Sequence, residues 1–207
     1  TALVSSNEVR TMDLTSLDGT SSSPVMGVLV LELEIPSGRV LWEWHCLDHV
    51  ALDESHQQIG PRFDYFHINS IDVEPDGNLI VSARNTWAVY KVNRKTGAVM
   101  WRLGGKKSDF KMGKNTVFAW QHDARIHDRG RLLTLFDNGA APKVEPQWRA
   151  REMALDTKRM RATPTRRFCP PPPLLSKCNG NTHFLSTGNP LVGGGRAQNL
   201  ENALQPL

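Results

Sequence analysis

The chain has 207 residues, enough at ~100–200 residues per domain for one domain or a little more. Apolar residues at 39% and charged residues at 22% exclude a disordered or collagen-like chain, and no apolar run approaches the ~18 residues of a membrane helix, since Val25–Leu33 is broken by Gly27 and Glu32. The net charge of +4 is concentrated in Arg149–Arg167, so it does not by itself argue for nucleic acid, and neither a nucleic-acid partner nor a membrane span is expected.

In chain order, Thr1-Ala-Leu-Val-Ser-Ser6 has the make-up of a later stretch, Asn78-Leu-Ile-Val-Ser-Ala83. A turn and strand follow in Ser37-Gly-Arg-Val-Leu-Trp-Glu-Trp44, and residues 48–66 form a long connection. Residues 68–74, 78–84, 87–93 and 98–103 are four short β-rich runs, separated by Pro75-Asp-Gly77, Asn85-Thr86 and Arg94-Lys-Thr-Gly97. A second long connection, 104–120, leads into 121–168, where Arg129-Gly-Arg-Leu-Leu-Thr-Leu135 repeats the turn glycine and strand. Pro170–Pro173 reads as a stiff spacer, 180–195 as a further strand pair, and 196–207 as a disordered tail. Three cysteines, Cys46, Cys169 and Cys178, are odd in number and far apart, and supply neither a disulfide framework nor a CxxC pair.

Two units recur in phase. The turn glycines Gly77, Gly130 and Gly188 stand 53 and 58 residues apart, and Gly38 and Gly97, each followed by a strand and a tryptophan, stand 59 apart. Four strands per ~50-residue repeat is the pattern of β-propeller blades, with a β-sandwich of two similar hairpins as the alternative. The phase predicts an all-β chain: a partial blade (1–47), two whole blades (about 67–103 and 121–168) and half of another (about 180–195). That is about three and a half blades, whereas closed propellers have at least four. The expectation is therefore a partial propeller domain over 1–195, a fragment of a larger propeller with unpaired edges and with the first strand of its first blade lying before Thr1.

Chemistry-bearing residues collect at the starts of the first strands. His67 precedes Gly77 by ten residues and His122 precedes Gly130 by eight, so both begin the strand nearest a propeller's axis. His67 and Asn69, two apart, point to the same face of a strand, and Arg84 closes the following strand at the same rim. His45, Cys46 and His49 lack a fourth ligand at recognisable spacing, so no metal is expected there.

Six segments, in order, carry a family likeness: Glu43-Trp-His-Cys-Leu-Asp-His-Val50, Asp64-Tyr-Phe-His-Ile-Asn-Ser-Ile71, Ser82-Ala-Arg84, Trp101-Arg-Leu-Gly-Gly105, Trp120-Gln-His-Asp-Ala-Arg125 and Leu135-Phe-Asp-Asn-Gly139. Together they resemble the arylsulfotransferases, the PQQ-independent aryl-sulfate:phenol sulfotransferases built on a β-propeller. The likeness is good over about 27–140 and weak over 150–192. It implies that His122, in its Gln-His segment, is the histidine that becomes transiently sulfated, that His67 and Asn69 form the family's His-x-Asn pair, and that Arg84 is the arginine closing the next strand. The family usually has a histidine after that arginine where this chain has Asn85, and a further family histidine belongs to a strand that would precede Thr1.

The chemistry suits these residue types. Neutral His122 is able to attack the sulfur of an aryl sulfate, splitting the transfer into two displacements. Arg84 can grip two sulfuryl oxygens as a fork, Asn69 can donate to developing charge, and His67 can protonate the leaving oxygen and later deprotonate the acceptor. No cofactor is needed. The expected partners are an aryl sulfate donor and a phenolic acceptor, an oligomer is compatible with the sequence, and the resemblance implies an extracytoplasmic or secreted location. Two alternatives stand beside this reading. One is a non-catalytic or decayed propeller binding module. The other is a quinoprotein-type oxidoreductase, suggested by Lys95-Thr-Gly-Ala-Val-Met-Trp101, although no catalytic aspartate with a calcium shell can be located.

Overall fold

The structure, a computed structural model, describes residues 1–171, 173–185 and 189–195, and the backbone of 197–199. Pro172 of the expected spacer, the turn glycine Gly188 and the rest of the expected tail lie outside the described residues. The fold is all-β, with mainly antiparallel sheets built mostly from consecutive strands, and among the described residues the helices between them are single 3-10 turns. No described helix is long and apolar enough to cross a membrane.

The first sheet joins β1 (Ala2–Met12), β2 (Ser23–Leu33) and β3 (Val40–His45) in order, with the two-residue β4 (Phe63–Asp64) parallel to the start of β2. The second is a four-stranded meander of β5 (Ile68–Val73), β6 (Leu79–Ala83), β7 (Ala88–Val92) and β8 (Val99–Gly104). The short β9 (Lys111–Met112) lies parallel to the far strand of the third meander, formed by β10 (His122–His127), β11 (Leu132–Asp137), β12 (Arg149–Asp156) and β13 (Arg161–Phe168). Two small pairs complete the described chain. β14 (Leu174–Ser176) pairs with β17 (Ala197–Asn199), a segment assigned from sequence to the tail, and β15 (Gly180–Phe184) pairs with β16 (Pro190–Gly194).

The turns explain why the strands fall where the glycines place them. Gly77 and Gly130 both adopt φ +83°, and Gly38 and Gly97 adopt +73° and +74°, a left-handed conformation that costs glycine little. At these four positions the recurring units share a left-handed glycine. The predicted runs at 68–74, 78–84, 87–93 and 98–103 match β5–β8 to within a residue.

Packing is sheet against sheet. Along β6 and β7 the side chains alternate faces. Leu79, Val81, Tyr90 and Val92 enter one core with Val25, Val28, Val30, Trp44 and Phe66 from the first sheet and its connection. Ile80 and Val89, with Trp101 and Leu103, enter the other core with Ala124, Ile126, Leu133 and Leu135 of the third sheet. The second sheet is therefore apolar on both faces, each buried Leu, Val or Ile contributing about 1.5–3 kcal/mol relative to exposure. The described residues form no closed barrel or closed ring of sheets.

First strands lie beside first strands. Ser70 Oγ of β5 accepts from Ala124 N of β10 at 3.0 Å, and Asp72 Oδ2 accepts from Ile126 N at 2.9 Å. On the other side of β10, Asp123 Oδ2 accepts from Thr182 N of β15 at 3.0 Å. This side-by-side order brings the starts of β5, β10 and β15 to one place.

Candidate functional site

His122 opens β10 and is 8% exposed. Its Nδ1 lies 2.8 Å from Asn138 Oδ1 and 3.1 Å from the Trp120 carbonyl oxygen. Asn138, fully buried, spends its Nδ2 on the Ser176 carbonyl oxygen at 3.2 Å, Ser176 Oγ at 3.3 Å and the Asn179 carbonyl oxygen at 2.9 Å. Its Oδ1 must therefore accept, and the imidazole carries its proton on Nδ1. That leaves a lone pair on Nε2, met by the Asn179 backbone N–H at 3.2 Å. Burial pushes the His122 pKa below the ordinary imidazole value; the Asn138 bond opposes this, and the nearby Arg84 and His67 reinforce it. At neutral pH the ring is uncharged.

Arg84 follows the end of β6 and is half-buried. Its Nη1 donates to Asn85 Oδ1 at 2.8 Å, and Nη2 reaches the carbonyl oxygens of Lys177 and Ala141 at 3.4 and 3.5 Å. The guanidinium carbon stands 4.7 Å from the centre of the Trp120 ring. Among the described residues no carboxylate forms a salt bridge with it, and burial holds its pKa below the usual arginine range. Carbonyls, an amide and an aromatic face surround this half-buried cation, and Asp64 and Cys178 raise its pKa only in part against burial, so the group is suited to an anion.

His67 sits on the turn into β5 with φ +54°, and its Nδ1 meets Asp64 Oδ2 at 2.5 Å. Arg84 N donates to the His67 carbonyl oxygen at 2.9 Å, so the two predicted residues are joined through the backbone. Asn69 is brought in as well, but its Nδ2 is engaged by the Gln121 carbonyl oxygen at 2.6 Å, while its Oδ1 is buried without a partner. It ties β5 to the residue before His122. Asn85, where the family usually has histidine, donates from Nδ2 to the Asp64 carbonyl oxygen at 2.5 Å while accepting from Arg84, so one amide links the arginine to the acid beside His67.

The backbone around these residues is strained. His67, Trp87, Trp120, Asp123 and Asn179 all have φ between +53° and +59°, a region costing of order 1–3 kcal/mol for residues with a Cβ. Asn138 and Asn179 carry no role in the sequence reading. Asp137-Asn138-Gly139 belongs to one of the six family-like segments, but nothing in its local pattern says that the amide turns onto a histidine 16 residues earlier. The other histidine cluster is structural. His45 bonds Glu8 and Arg10, His49 stacks on Trp44 at 5.5 Å, and Cys46 Sγ accepts from Val28 N at 2.9 Å. Among the described residues no group of three or more His, Cys, Asp or Glu side chains is arranged to hold a metal.

The arylsulfotransferase (ASST) family model matches residues 1–203. The chain belongs to the arylsulfotransferase family. No curated protein matches it. Among solved structures it is similar to a protein of unknown function from Bacteroides caccae, with 17% identity and a TM-score of 0.42 over 87% of this chain and 52% of that one. The arylsulfotransferase chain thus spans about half the length of that protein.

Proposed function

We propose that this arylsulfotransferase moves a sulfuryl group from an aryl sulfate to a phenol through a covalent N–S intermediate on His122. The observation carrying the reading is the pairing of a buried, neutral imidazole, its proton fixed on Nδ1 by Asn138, with an arginine that has no carboxylate partner among the described residues. In the first half-reaction the Nε2 lone pair attacks sulfur and the S–O bond to the aryl group breaks, the phenol leaving with a proton from His67. In the second, the acceptor phenol gives its proton back to His67 as its oxygen attacks sulfur and the N–S bond breaks. Arg84 draws the sulfuryl oxygens against the face that Trp120 supports, and its charge disfavours protonation of His122. For attack, the Asn179 amide must release Nε2, and the 3.2 Å bond is long enough to yield.

The sheets support a propeller reading, with the three meander-like sheets as blades and β5, β10 and β15 as neighbouring inner strands. The extracytoplasmic setting is likewise a proposal, carried by family membership. The test is release of nitrophenolate from 4-nitrophenyl sulfate, with and without a phenol acceptor, beside His122→Ala. Acceptor-dependent release that the substitution abolishes is the expected result, together with a trapped intermediate heavier by one sulfuryl group on the peptide containing His122. Release that ignores the acceptor, or that survives the substitution, overturns the reading.

A further inference from the structure

We infer that Asp64 is a positioning residue for the proton-transfer step, fixing the proton of His67 on Nδ1 so that Nε2 is the atom that gives and takes the aryl proton. This rests on the sulfuryl-transfer reading above and adds to it the residue that orients the acid and base.

The geometry is built by the chain on both sides of the pair. Asp64 ends β4, whose parallel pairing with β2 sets Asp64 opposite Met26. Tyr65 and Phe66 are fully buried, and Asn85 N donates to the Phe66 carbonyl oxygen at 3.1 Å. The chain then turns through the left-handed conformation at His67, whose carbonyl oxygen accepts from Arg84 N. Two anchored aromatics and a strained turn bring the imidazole back over the carboxylate three residues earlier. Nothing about an i,i+3 pair in an extended stretch would do this unaided. The Asp64 main chain is held in turn by Asn85 Nδ2, the same side chain that takes Arg84.

An acid–histidine pair at a surface is usually worth little to stability, and these side chains are 27% and 47% exposed. Their arrangement gives them a different use. Among the described residues the ring's other nitrogen makes no hydrogen bond, and neither does Asp64 Oδ1. A cavity of about 280 Å³ lies against both members, bordered also by Ser5, Asn7, Met26 and Ile68. It offers room for an aryl ring whose oxygen meets Nε2. During donor cleavage the imidazolium loses its Nε2 proton to the leaving oxygen and becomes the Nδ1–H tautomer, which Asp64 keeps. That tautomer then takes the acceptor's proton on Nε2. Without Asp64 the neutral ring falls to the commoner Nε2–H form, which has no lone pair facing the acceptor.

The experiment compares Asp64→Asn with the unaltered chain on two donors, 4-nitrophenyl sulfate with its good leaving group and phenyl sulfate with its poor one. Protonation matters most where the leaving group is poor, so the substitution is expected to slow phenyl sulfate by about 10²-fold or more, and 4-nitrophenyl sulfate by under about 10-fold. An equal loss on both donors, or none on either, overturns the proposal. Long-range ¹H–¹⁵N spectra of the His67 ring decide independently of turnover: an Nδ1–H neutral form that Asp64→Asn abolishes supports the assignment, and an Nε2–H form in the unaltered chain overturns it. Activity of His122→Ala reports on sulfuryl transfer itself. Its survival would remove the parent reading, whereas a flat leaving-group response with inactive His122→Ala removes the role of Asp64 alone.

Discussion

Replacing Arg84 with methionine separates what the fold needs from what the site needs. The substitution removes a charged hydrogen bond to Asn85 Oδ1, about 1.5–3 kcal/mol, and a guanidinium over Trp120, about 0.5–2 kcal/mol. Against this it relieves the burial of a cation that has no carboxylate beside it, a cost of several kcal/mol, and methionine fills much of the same volume against the indole. The terms nearly cancel, so Arg84→Met is expected to unfold within about 2 kcal/mol of the parent, a change in Tm of no more than about 4–8 °C for a domain of this size. Calorimetric unfolding with and without inorganic sulfate then reads the site. At a hundredfold excess over Kd, sulfate stabilises the parent by about 2.7 kcal/mol, and Arg84→Met gains nothing. Destabilisation of about 3–5 kcal/mol, as for breaking a buried ion pair, would refute the reasoning, and so would sulfate protecting both proteins equally.

Two further substitutions test the surroundings. Asn138→Leu leaves the Nδ1–H of His122 only the Trp120 carbonyl oxygen and leaves the Ser176 and Asn179 carbonyl oxygens without their amide donor, at about 1–3 kcal/mol for each group that water cannot reach; a drop in urea midpoint is expected together with lost transfer, and an unchanged midpoint would count against the network. His56 stacks on Trp87 with 3.6 Å between ring centres, and burial, with Lys106 nearby, pushes its pKa down to about 4. The unfolded chain takes up that proton near pH ~6.5, so stability is full above this value and is lost as pH falls towards 4. His56→Phe keeps the stack and is expected to flatten that slope, with His122 contributing a remainder of the same sign; urea midpoints at pH 4.5 and 7.5 measure it.

The legible part of this chain is the part written in short range. Gly38, Gly77, Gly97 and Gly130 sit where a left-handed residue is required, and the runs between them are too short and too β-branched for helices, so β5–β8 could be read almost residue by residue. Repeat phase then brought His67, Arg84 and His122 together, because equal spacing along the chain became side-by-side placement of first strands. What stayed hidden depends on side chains turning back across long separations. Asn138 acts on His122 from the far end of β11, and Asn179 reaches it from 57 residues away. Asp64 stands in a motif, but its partnership with His67 needs a left-handed backbone angle at His67, which few non-glycine residues adopt and which the sequence does not mark. Asn69 looked like a free donor, and its amide proves to be engaged across the strands. The two-residue strands β4 and β9 were absorbed into long connections because two residues carry no period.

The left-handed residues around the site bear on how the protein responds to selection in the laboratory. Exchanging the exposed Asn179, at φ +59°, for glycine relaxes strain without opening a cavity, and exchanging Arg84 for a neutral chain costs the fold little. A library screened for heat tolerance alone would therefore accept changes at positions around the proposed site. It would drift towards a sturdier and silent protein unless turnover were scored in the same round.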